Sequence, residues 1–174
     1  MRALADAAAI ERFMQALGRE ATAPARVYFT GGATAVLHGW RASTIDIDIR
    51  LMPDRDELFR AIPHLKEELH INVEIASPDD FIPVKDDWPD RSPFIERHGQ
   101  VSFHHFDLYP QALSKIERGH EQDVADVDEL LRRGLIDAGK LWDYFEAIEP
   151  KIYRYPAIDA ASFRAAVERI ASRG

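Results

Sequence analysis

The sequence has no cysteine and no long apolar run. Because none of its 174 residues is Cys, disulfide bonds and thiolate metal sites are excluded. No stretch reaches the roughly 20 apolar residues that a membrane-spanning helix needs, so no membrane partner is expected. The first residues, MRALADAAAIERFMQALG, carry a charge every few positions, which is typical of an amphipathic helix and not of a signal peptide. A cytoplasmic location is therefore expected.

Basic charge is also scarce. The chain has 22 Lys and Arg against 30 Asp and Glu, which gives a formal net charge of −8. A broad nucleic-acid surface usually carries a basic patch, so the charge argues against such a surface, although not against a local one. The excess carboxylates suit a divalent cation site, and they also aid solubility. The length is typical of one domain, or of one domain with a helical appendage.

Hydrophobic periodicity predicts alternating helices and strands in the first part of the chain. Helices are predicted over 5–18 and 33–39 and from Asp54, where Glu57 would complete a capping box and Pro63 would interrupt or kink the helix. The predicted strands are RVYFT (26–30), TIDIDIRL (44–51), INVEIAS (71–77) and VSFHHFDLY (101–109). Residues 77–100 contain several prolines and many charges, so they are predicted to form a long loop.

From Gln111 onward the pattern is helical, roughly over 111–118, 123–133, 137–147 and 159–172. This order predicts an α/β (α+β) fold in which helices flank a small mixed β-sheet. We expect an α/β core over 1–108 and a helical C-terminal segment over 109–174 that packs on it.

The stretch FTGGATAVLHGWRASTIDIDIR, residues 29–50, is the most informative part of the sequence. A double glycine after a strand is usually a tight turn. Gly31 and Gly32 would also let backbone N–H groups approach a phosphate without a Cβ in the way. The helix that follows would add unpaired N–H groups and the positive end of its dipole. These features together predict a triphosphate site.

Strict alternation places Asp46 and Asp48 on one face of the next strand, with Ile45, Ile47, Ile49 and Leu51 on the other. Two aspartates in this pattern are often only a solvated face. Following a double glycine, they form a candidate site for Mg²⁺ or Mn²⁺. A third carboxylate should lie on a neighbouring strand. Glu74 is the first candidate and Asp107 the second.

These residues carry a resemblance to the nucleotidyltransferase superfamily, which has a polymerase-beta-like fold. The double glycine, Asp-x-Asp and a later strand carboxylate resemble its signature, with Glu74 in the place of a usual Asp. Arg41 and Thr44 match an Arg-x-x-Thr-x-Asp-x-Asp form that is similar to the AbiEii toxin-like branch and related uncharacterised bacterial families. Arg41 also has a simpler interpretation as a structural ion pair.

A second motif, LSKIERGHEQDVADV, resembles the downstream motif of that branch. It contains Lys115, Asp123 and Asp126, which without the resemblance would be read as charges on solvated helix faces. The resemblance, which covers roughly residues 25–135, implies that Lys115 contacts a phosphate and that Asp123 orients Lys115 or a helix.

The resemblance implies transfer of a nucleoside monophosphate from an NTP, with release of pyrophosphate. Asp46 and Asp48 would then hold Mg²⁺ or Mn²⁺. Glu74 would hold a second metal or deprotonate the acceptor hydroxyl. Gly31 and Gly32 would seat the phosphates, and Thr44 would supply a hydroxyl.

The acceptor is left open among RNA, protein and small molecules. A role in a toxin–antitoxin pair would add a cognate antitoxin protein as a partner. The alternatives are a catalytically inactive module of the same fold that binds nucleotide or a partner protein, and a structural α/β domain in which the motifs are coincidental.

Overall fold

The computed structural model describes residues 3–173, which form an α+β protein, as the sequence predicts. The strands are β1 (Ala5–Asp6), β2 (Ala25–Thr30), β3 (Ser43–Thr44), β4 (Asp46–Met52), β5 (Asn72–Ile75), β6 (Phe94–His98) and β7 (Val101–His105). The helices are α1 (Ala7–Glu20), α2 (Gly32–His38), α3 (Asp56–Leu69), α4 (Leu108–Arg118), α5 (Glu121–Arg132), α6 (Ala138–Ile148) and α7 (Ala160–Ala171). Short 3-10 helices span Pro78–Asp80 and Glu149–Arg154. Within the described residues, no helix is long and apolar enough to cross a membrane.

The chain divides into two compact units. The first holds the chain up to Ser77 together with Ser92–Phe106, and the second holds Pro78–Arg91 and the chain from Asp107 onward. The chain therefore passes from one unit to the other after Ser77, after Arg91 and after Phe106.

The first unit contains a five-stranded mixed sheet in the order β5-β4-β2-β7-β6. The central strand β2 runs antiparallel to β4 and parallel to β7, and β4 runs parallel to β5. A hairpin joins β6 and β7. A separate antiparallel pair is formed by β1 and β3.

One face of this sheet is apolar because the strands alternate. Ile47, Ile49 and Leu51 of β4 are buried, whereas Asp46, Asp48 and the other alternate side chains of the strand are only partly buried. The buried side chains join one core with apolar residues of α1 and α3. The helix α1 begins where Asp6 caps it by accepting a hydrogen bond from the N–H of Ala9 at 2.8 Å. The other face keeps its polar strand residues.

The second unit contains α4 to α7 and both 3-10 helices. Asp137 and Asp159 cap α6 and α7 through their side chains. These two helices contact each other through their aromatic residues, with the rings of Phe145 and Phe163 edge to face at 5.0 Å between centroids. Helix propensity, caps and apolar spacing agree here. The four predicted C-terminal helices are therefore confirmed, with boundaries shifted by at most three residues.

The predicted loop over 77–100 was wrong in part, because it contains β6. The strand is short, one residue of it forms a bulge, and its N-terminal half is more exposed than its partner β7. Those features weaken the alternation by which a strand is recognised in a sequence.

Ile45 was also wrongly predicted to lie on the buried face, since its side chain is 71% exposed. The predicted strand is two strands, β3 and β4, with Ile45 between them. The hydroxyl of Thr44 donates to the backbone oxygen of Asp46 at 3.0 Å across this break. Because Ile45 lies at the break between the two strands, it does not share the buried face of β4.

The start of α3 differs from its predicted capping box. The helix begins at Asp56, its N-cap residue is Arg55, and no side chain caps it. Glu57 instead accepts hydrogen bonds from the backbone N–H and the hydroxyl of Thr22, which lower the pKa of its carboxyl. Pro63 lies inside a continuous helix and does not end it.

Candidate functional site

The double glycine lies at the end of β2, directly beside Asp48. Gly31 follows Thr30, which pairs with Asp48 in the antiparallel register of β2 and β4. Its φ of 62° is in the region that favours glycine. A Cβ added at Gly31 would lie 3.3 Å from Oδ2 of Asp48. The glycine turn and Asp48 are therefore within contact distance of each other.

Gly32 is held closely by two further residues of the motif. A Cβ at this position would lie 2.7 Å from Cβ of Thr44 and 3.1 Å from Nη1 of Arg41, and closer still to the Thr44 hydroxyl. A side chain at position 32 would displace both neighbours. The structure thus brings Gly31, Gly32, Arg41, Thr44 and Asp48 together.

Glu74 lies on the strand next to the two aspartates. In the parallel register of β4 and β5, Asp48 pairs with Glu74 and Asp46 pairs with Asn72. Residues paired in this way share a face of the sheet and have neighbouring Cβ atoms. Asp46, Asp48 and Glu74 therefore stand on one face, as the alternation of β4 and β5 predicts.

Asn72 joins these carboxylates and was missed by the sequence analysis. Its amide nitrogen lies 2.5 Å from Oδ1 of Asp46 and 3.3 Å from Oε1 of Glu74. The amide therefore donates to carboxylates on two strands and fixes their spacing. The signal was available, because Asn72 shares the exposed face of INVEIAS with Glu74.

The three carboxylates suit a divalent cation by their chemistry. Carboxylate oxygens from adjacent strands are the ligands that Mg²⁺ and Mn²⁺ prefer. Their oxygens do not all lie within 4.8 Å of one another, whereas one ligand atom from each of Glu11, Glu96 and His98, elsewhere in the described part of the chain, does. Like charges on neighbouring strands repel, so a cation would draw the carboxylates of Asp46, Asp48 and Glu74 together.

Asp107, the second candidate for the third carboxylate, makes contacts that stabilise the fold. It caps α4 by accepting from the N–H of Tyr109 at 3.1 Å, and Nε of Arg91 donates to its Oδ2 at 2.7 Å. Burial raises the pKa of Asp107, and the two hydrogen bonds and the charge of Arg91 oppose that rise. It belongs to the second unit.

Lys115, Asp123 and Asp126 also belong to the second unit, where they form two ion pairs. Nζ of Lys115 donates to Oδ2 of Asp126 at 2.7 Å, and these side chains are 8% and 0% exposed. Arg118 donates two hydrogen bonds to Asp123, at 2.6 and 2.8 Å. Burial alone would raise the pKa of Asp123, but these bonds and the charge of Arg118 lower it below its ordinary value.

A buried histidine lies beneath the helix that follows the double glycine. Nδ1 of His105 is 3.0 Å from the hydroxyl of Thr34 in α2, and its ring stacks on His38 at 4.5 Å between centroids. Burial, with smaller contributions from the charges of His38 and His104, lowers the pKa of His105 to about 3. His105 is therefore neutral at neutral pH.

His105 makes the stability of the fold depend on pH. In the unfolded chain its pKa is about 6.5, so between about pH 6.5 and pH 3 the unfolded state binds a proton that the folded state does not. We expect this residue to lower the free energy of unfolding by up to about 1.4 kcal/mol for each pH unit of acidification in that window. His105→Asn keeps an acceptor for Thr34 and removes the titration.

Urea unfolding of both proteins at several pH values between about 4.5 and 7 measures the difference. The wild type should lose stability more steeply on acidification than His105→Asn. His64→Gln, at an exposed position, serves as the control and should follow the wild type. Parallel pH profiles for wild type and His105→Asn would contradict the prediction.

The fold and the site define an α+β protein in which two strand-borne aspartates and a glutamate stand beside a double-glycine turn. The profile of a family described as nucleotidyltransferases of unknown function (DUF6036) matches residues 7–171, and the chain belongs to that family. No curated protein and no solved structure gave a significant match.

Proposed function

We propose that the chain is an Mg²⁺- or Mn²⁺-dependent enzyme that transfers a nucleoside monophosphate from an NTP to an acceptor hydroxyl. The observation that carries the proposal is the cross-strand register, which puts Glu74 beside Asp48 and puts Asp48 against Gly31. Carboxylates for a cation and backbone N–H groups for phosphates thereby share one small region. The family to which the chain belongs supports this assignment.

Asp46 and Asp48 would hold the cation that binds the triphosphate, and Glu74 would stand beside them for a second cation or for the acceptor hydroxyl. Asn72 would set the position of Asp46 and Glu74. When bound, the cation would neutralise charge on the triphosphate and on the reacting oxygens. Asp48 would hold the cation next to the glycine turn, because its Oδ2 lies beside Gly31.

Other residues would bind the phosphates. The N–H groups of Gly31 and Gly32 would donate to phosphate oxygens, since no Cβ blocks their approach. With only seven residues, α2 has a small dipole, so direct N–H donation is the main contribution. The guanidinium of Arg41, next to Gly32, would add a charged donor. The hydroxyl of Thr44 donates to the backbone of Asp46, and we assign it the positioning of that aspartate.

In the reaction the oxygen of the acceptor hydroxyl forms a bond to the α-phosphorus. The bond from the α-phosphorus to the bridging oxygen breaks, and pyrophosphate leaves. Glu74, the most exposed of the three carboxylates, would accept the hydroxyl proton.

Separately labelled NTPs test this proposal. The full chain is incubated with Mg²⁺, cell lysate or total RNA, and NTP labelled at either the α- or the γ-phosphate. Transfer predicts that a macromolecule or small molecule acquires only the α-label, while the γ-label appears in pyrophosphate. NTP binding without any labelled product would instead support a catalytically inactive nucleotide-binding module.

We expect Glu74→Gln to remove turnover and to leave NTP affinity largely intact. Glutamine keeps the size and an oxygen for Asn72, but it cannot accept a proton or carry the negative charge. The measurements are initial rates of pyrophosphate release and NTP affinity by calorimetry. Asp107→Asn, which perturbs the cap of α4, should lower stability more than turnover. If Asp107→Asn lowers turnover more than Glu74→Gln does, Asp107 is the third carboxylate.

We further propose that the chain falls within the AbiEii toxin-like branch and has a polymerase-beta-like core. The spacing of Arg41, Thr44, Asp46 and Asp48 supports the branch. Because NTPs are cytoplasmic substrates, this activity would operate in the cytoplasm. A toxin role predicts that inducing the wild type arrests growth and that an Asp46→Asn variant does not. A cognate antitoxin would then relieve the arrest. Undisturbed growth on induction would speak against the toxin role.

A further inference from the structure

A second group of metal-ligand side chains lies in the first unit. Glu11 of α1 and Glu96 and His98 of β6 each place one ligand atom within 4.8 Å of the others. Nε2 of His98 is 3.1 Å from Oε2 of Glu96 and 3.6 Å from Oε1 of Glu11. We propose that these three side chains form a Zn²⁺ site that joins α1 to β6, with water as the fourth ligand.

A bulge in β6 creates this group. Phe94 pairs with His104, but after the bulge Glu96 pairs with Phe103 and His98 pairs with Val101. Paired residues share a face, and Phe103 and Val101 belong to the apolar core. The bulge thus turns Glu96 and His98 towards the helix-covered face, an established use of such irregularities.

The register also separates this site from the candidate catalytic site. Asp46, Asp48 and Glu74 lie on the polar face of β4 and β5, at one edge of the sheet. Glu96 and His98 lie on β6, at the other edge and on the opposite face. The strands β4 and β6 are three strand spacings apart, or about 14 Å. One cation cannot serve both groups.

Close packing fixes α1 against the end of β6. A Cβ added at Gly18 of α1 would lie 2.6 Å from both Cβ and the backbone oxygen of His98. The helix therefore contacts the strand directly at this point. Glu11 lies two helical turns before Gly18 and so on the same side of α1. Ligands supplied by two packed elements are held in place before a metal arrives.

The histidine geometry favours a metal over a simple ion pair. Nε2 of His98 is buried and makes no hydrogen bond, although Oε2 of Glu96 is within reach. Two ligands of a tetrahedral Zn²⁺, with bonds near 2.1 Å, lie about 3.4 Å apart. The two distances in the structure, 3.1 and 3.6 Å, bracket that spacing. A ring nitrogen and two carboxylate oxygens at such distances have the spacing that lets them share one cation.

Ligand type selects the metal. Imidazole suits Zn²⁺, whereas Mg²⁺ and Ca²⁺ prefer all-oxygen sets. The carboxylates of Glu11 and Glu96 also approach each other closely; their hydrogen bond and burial raise the pKa of Glu11. A proton shared between these two carboxylates is the competing occupant, and it would not bind zinc.

Calorimetric titration of the chelator-treated full chain with ZnCl₂ tests the proposal. We expect one saturable Zn²⁺ per chain that excess Mg²⁺ does not displace. His98→Gln and Glu96→Gln should each weaken Zn²⁺ binding by at least about tenfold. Glu11→Gln, at a helix position that is 39% exposed, should do the same and provides a variant that is expected to fold if a strand variant does not.

Two controls separate this site from other zinc binding. His64→Gln removes an exposed histidine that pairs with the carboxylate of Glu68, and should leave Zn²⁺ affinity unchanged. The combined Asp46→Asn and Asp48→Asn variant should also leave Zn²⁺ affinity unchanged. The zinc-site proposal and the proposed catalytic function are therefore tested independently of each other. Crystals grown with ZnCl₂ should give an anomalous peak between the three side chains.

The proposal is overturned if the wild type binds no Zn²⁺, or if His98→Gln binds it as tightly as the wild type does. It is also overturned if zinc is lost in the Asp46 and Asp48 double variant and retained in Glu96→Gln. That result would place the metal on the polar face of the sheet.

Discussion

Replacing Asp46 and Asp48 together by asparagine is expected to lower nucleotidyl transfer at least about a hundredfold and to abolish the metal dependence of NTP binding. Metal ions contribute several kcal/mol of charge stabilisation in phosphoryl chemistry, and about 2.7 kcal/mol corresponds to a hundredfold in rate. Asparagine keeps the shape of each side chain and an oxygen that can accept from Asn72. The fold should therefore survive, since the change also relieves repulsion among neighbouring carboxylates.

The measurements are pyrophosphate release and calorimetric titration with a non-hydrolysable NTP, with and without Mg²⁺. A matched control removes the same two charges elsewhere, by Asp54→Asn and Asp143→Asn at exposed positions, and should behave as the wild type. If the Asp46 and Asp48 double variant retains metal-dependent NTP binding, the cation does not bind to this strand.

Truncating Lys115 to alanine is expected to lower the free energy of unfolding by about 3–5 kcal/mol. The loss arises because Asp126, whose side chain is fully buried, would lose the charge of the Lys115 ammonium at 2.7 Å. Removing one partner of a buried ion pair is strongly destabilising, whereas replacing both partners by apolar residues of similar volume is often neutral. Lys115→Met with Asp126→Leu should therefore recover most of the loss.

Urea unfolding of the wild type, Lys115→Met, Asp126→Leu and the double variant measures the coupling between the two side chains. An effect of Lys115→Ala within about 0.5 kcal/mol of zero would contradict a buried pair. The same proteins test the phosphate contact that the resemblance implies. If Lys115 also binds NTP, the folded double variant will have lower NTP affinity and unchanged affinity for the bare nucleoside. Equal NTP affinity would assign Lys115 to the fold alone.

The strands of the candidate site were predictable because their alternation is a local property. Ile47 and Ile49 had to face a core, which forced Asp46 and Asp48 to the other face. Predicting the position of Glu74 also required the pairing of β4 with β5. That parallel pairing depends on contacts between residues far apart in the sequence. Asn72 followed from the same alternation, but only the register shows that its amide reaches both Asp46 and Glu74.

Other features depend on tertiary contacts that no local pattern reveals. The charged residues Lys115 and Asp126 looked like a solvated face, and only the packing of α4 on α5 buries them against each other. Gly32 looked like a turn residue, and its crowding by Thr44 required coordinates. The bulge that turns Glu96 and His98 to the opposite face breaks the very periodicity on which strand prediction rests.

The threefold passage of the chain between the two units has a consequence for biosynthesis. The first unit lacks β6 and β7 until residue 106 has left the ribosome. The segment Pro78–Arg91 then still awaits its partners, because the backbone N–H of Lys85 donates to Tyr144 and the backbone oxygen of Asp79 accepts from Tyr155. No single cleavage point yields both halves intact, and a fragment ending at residue 108 would carry this segment without either tyrosine. The second unit is complete only when the chain from Asp107 onward has also been made.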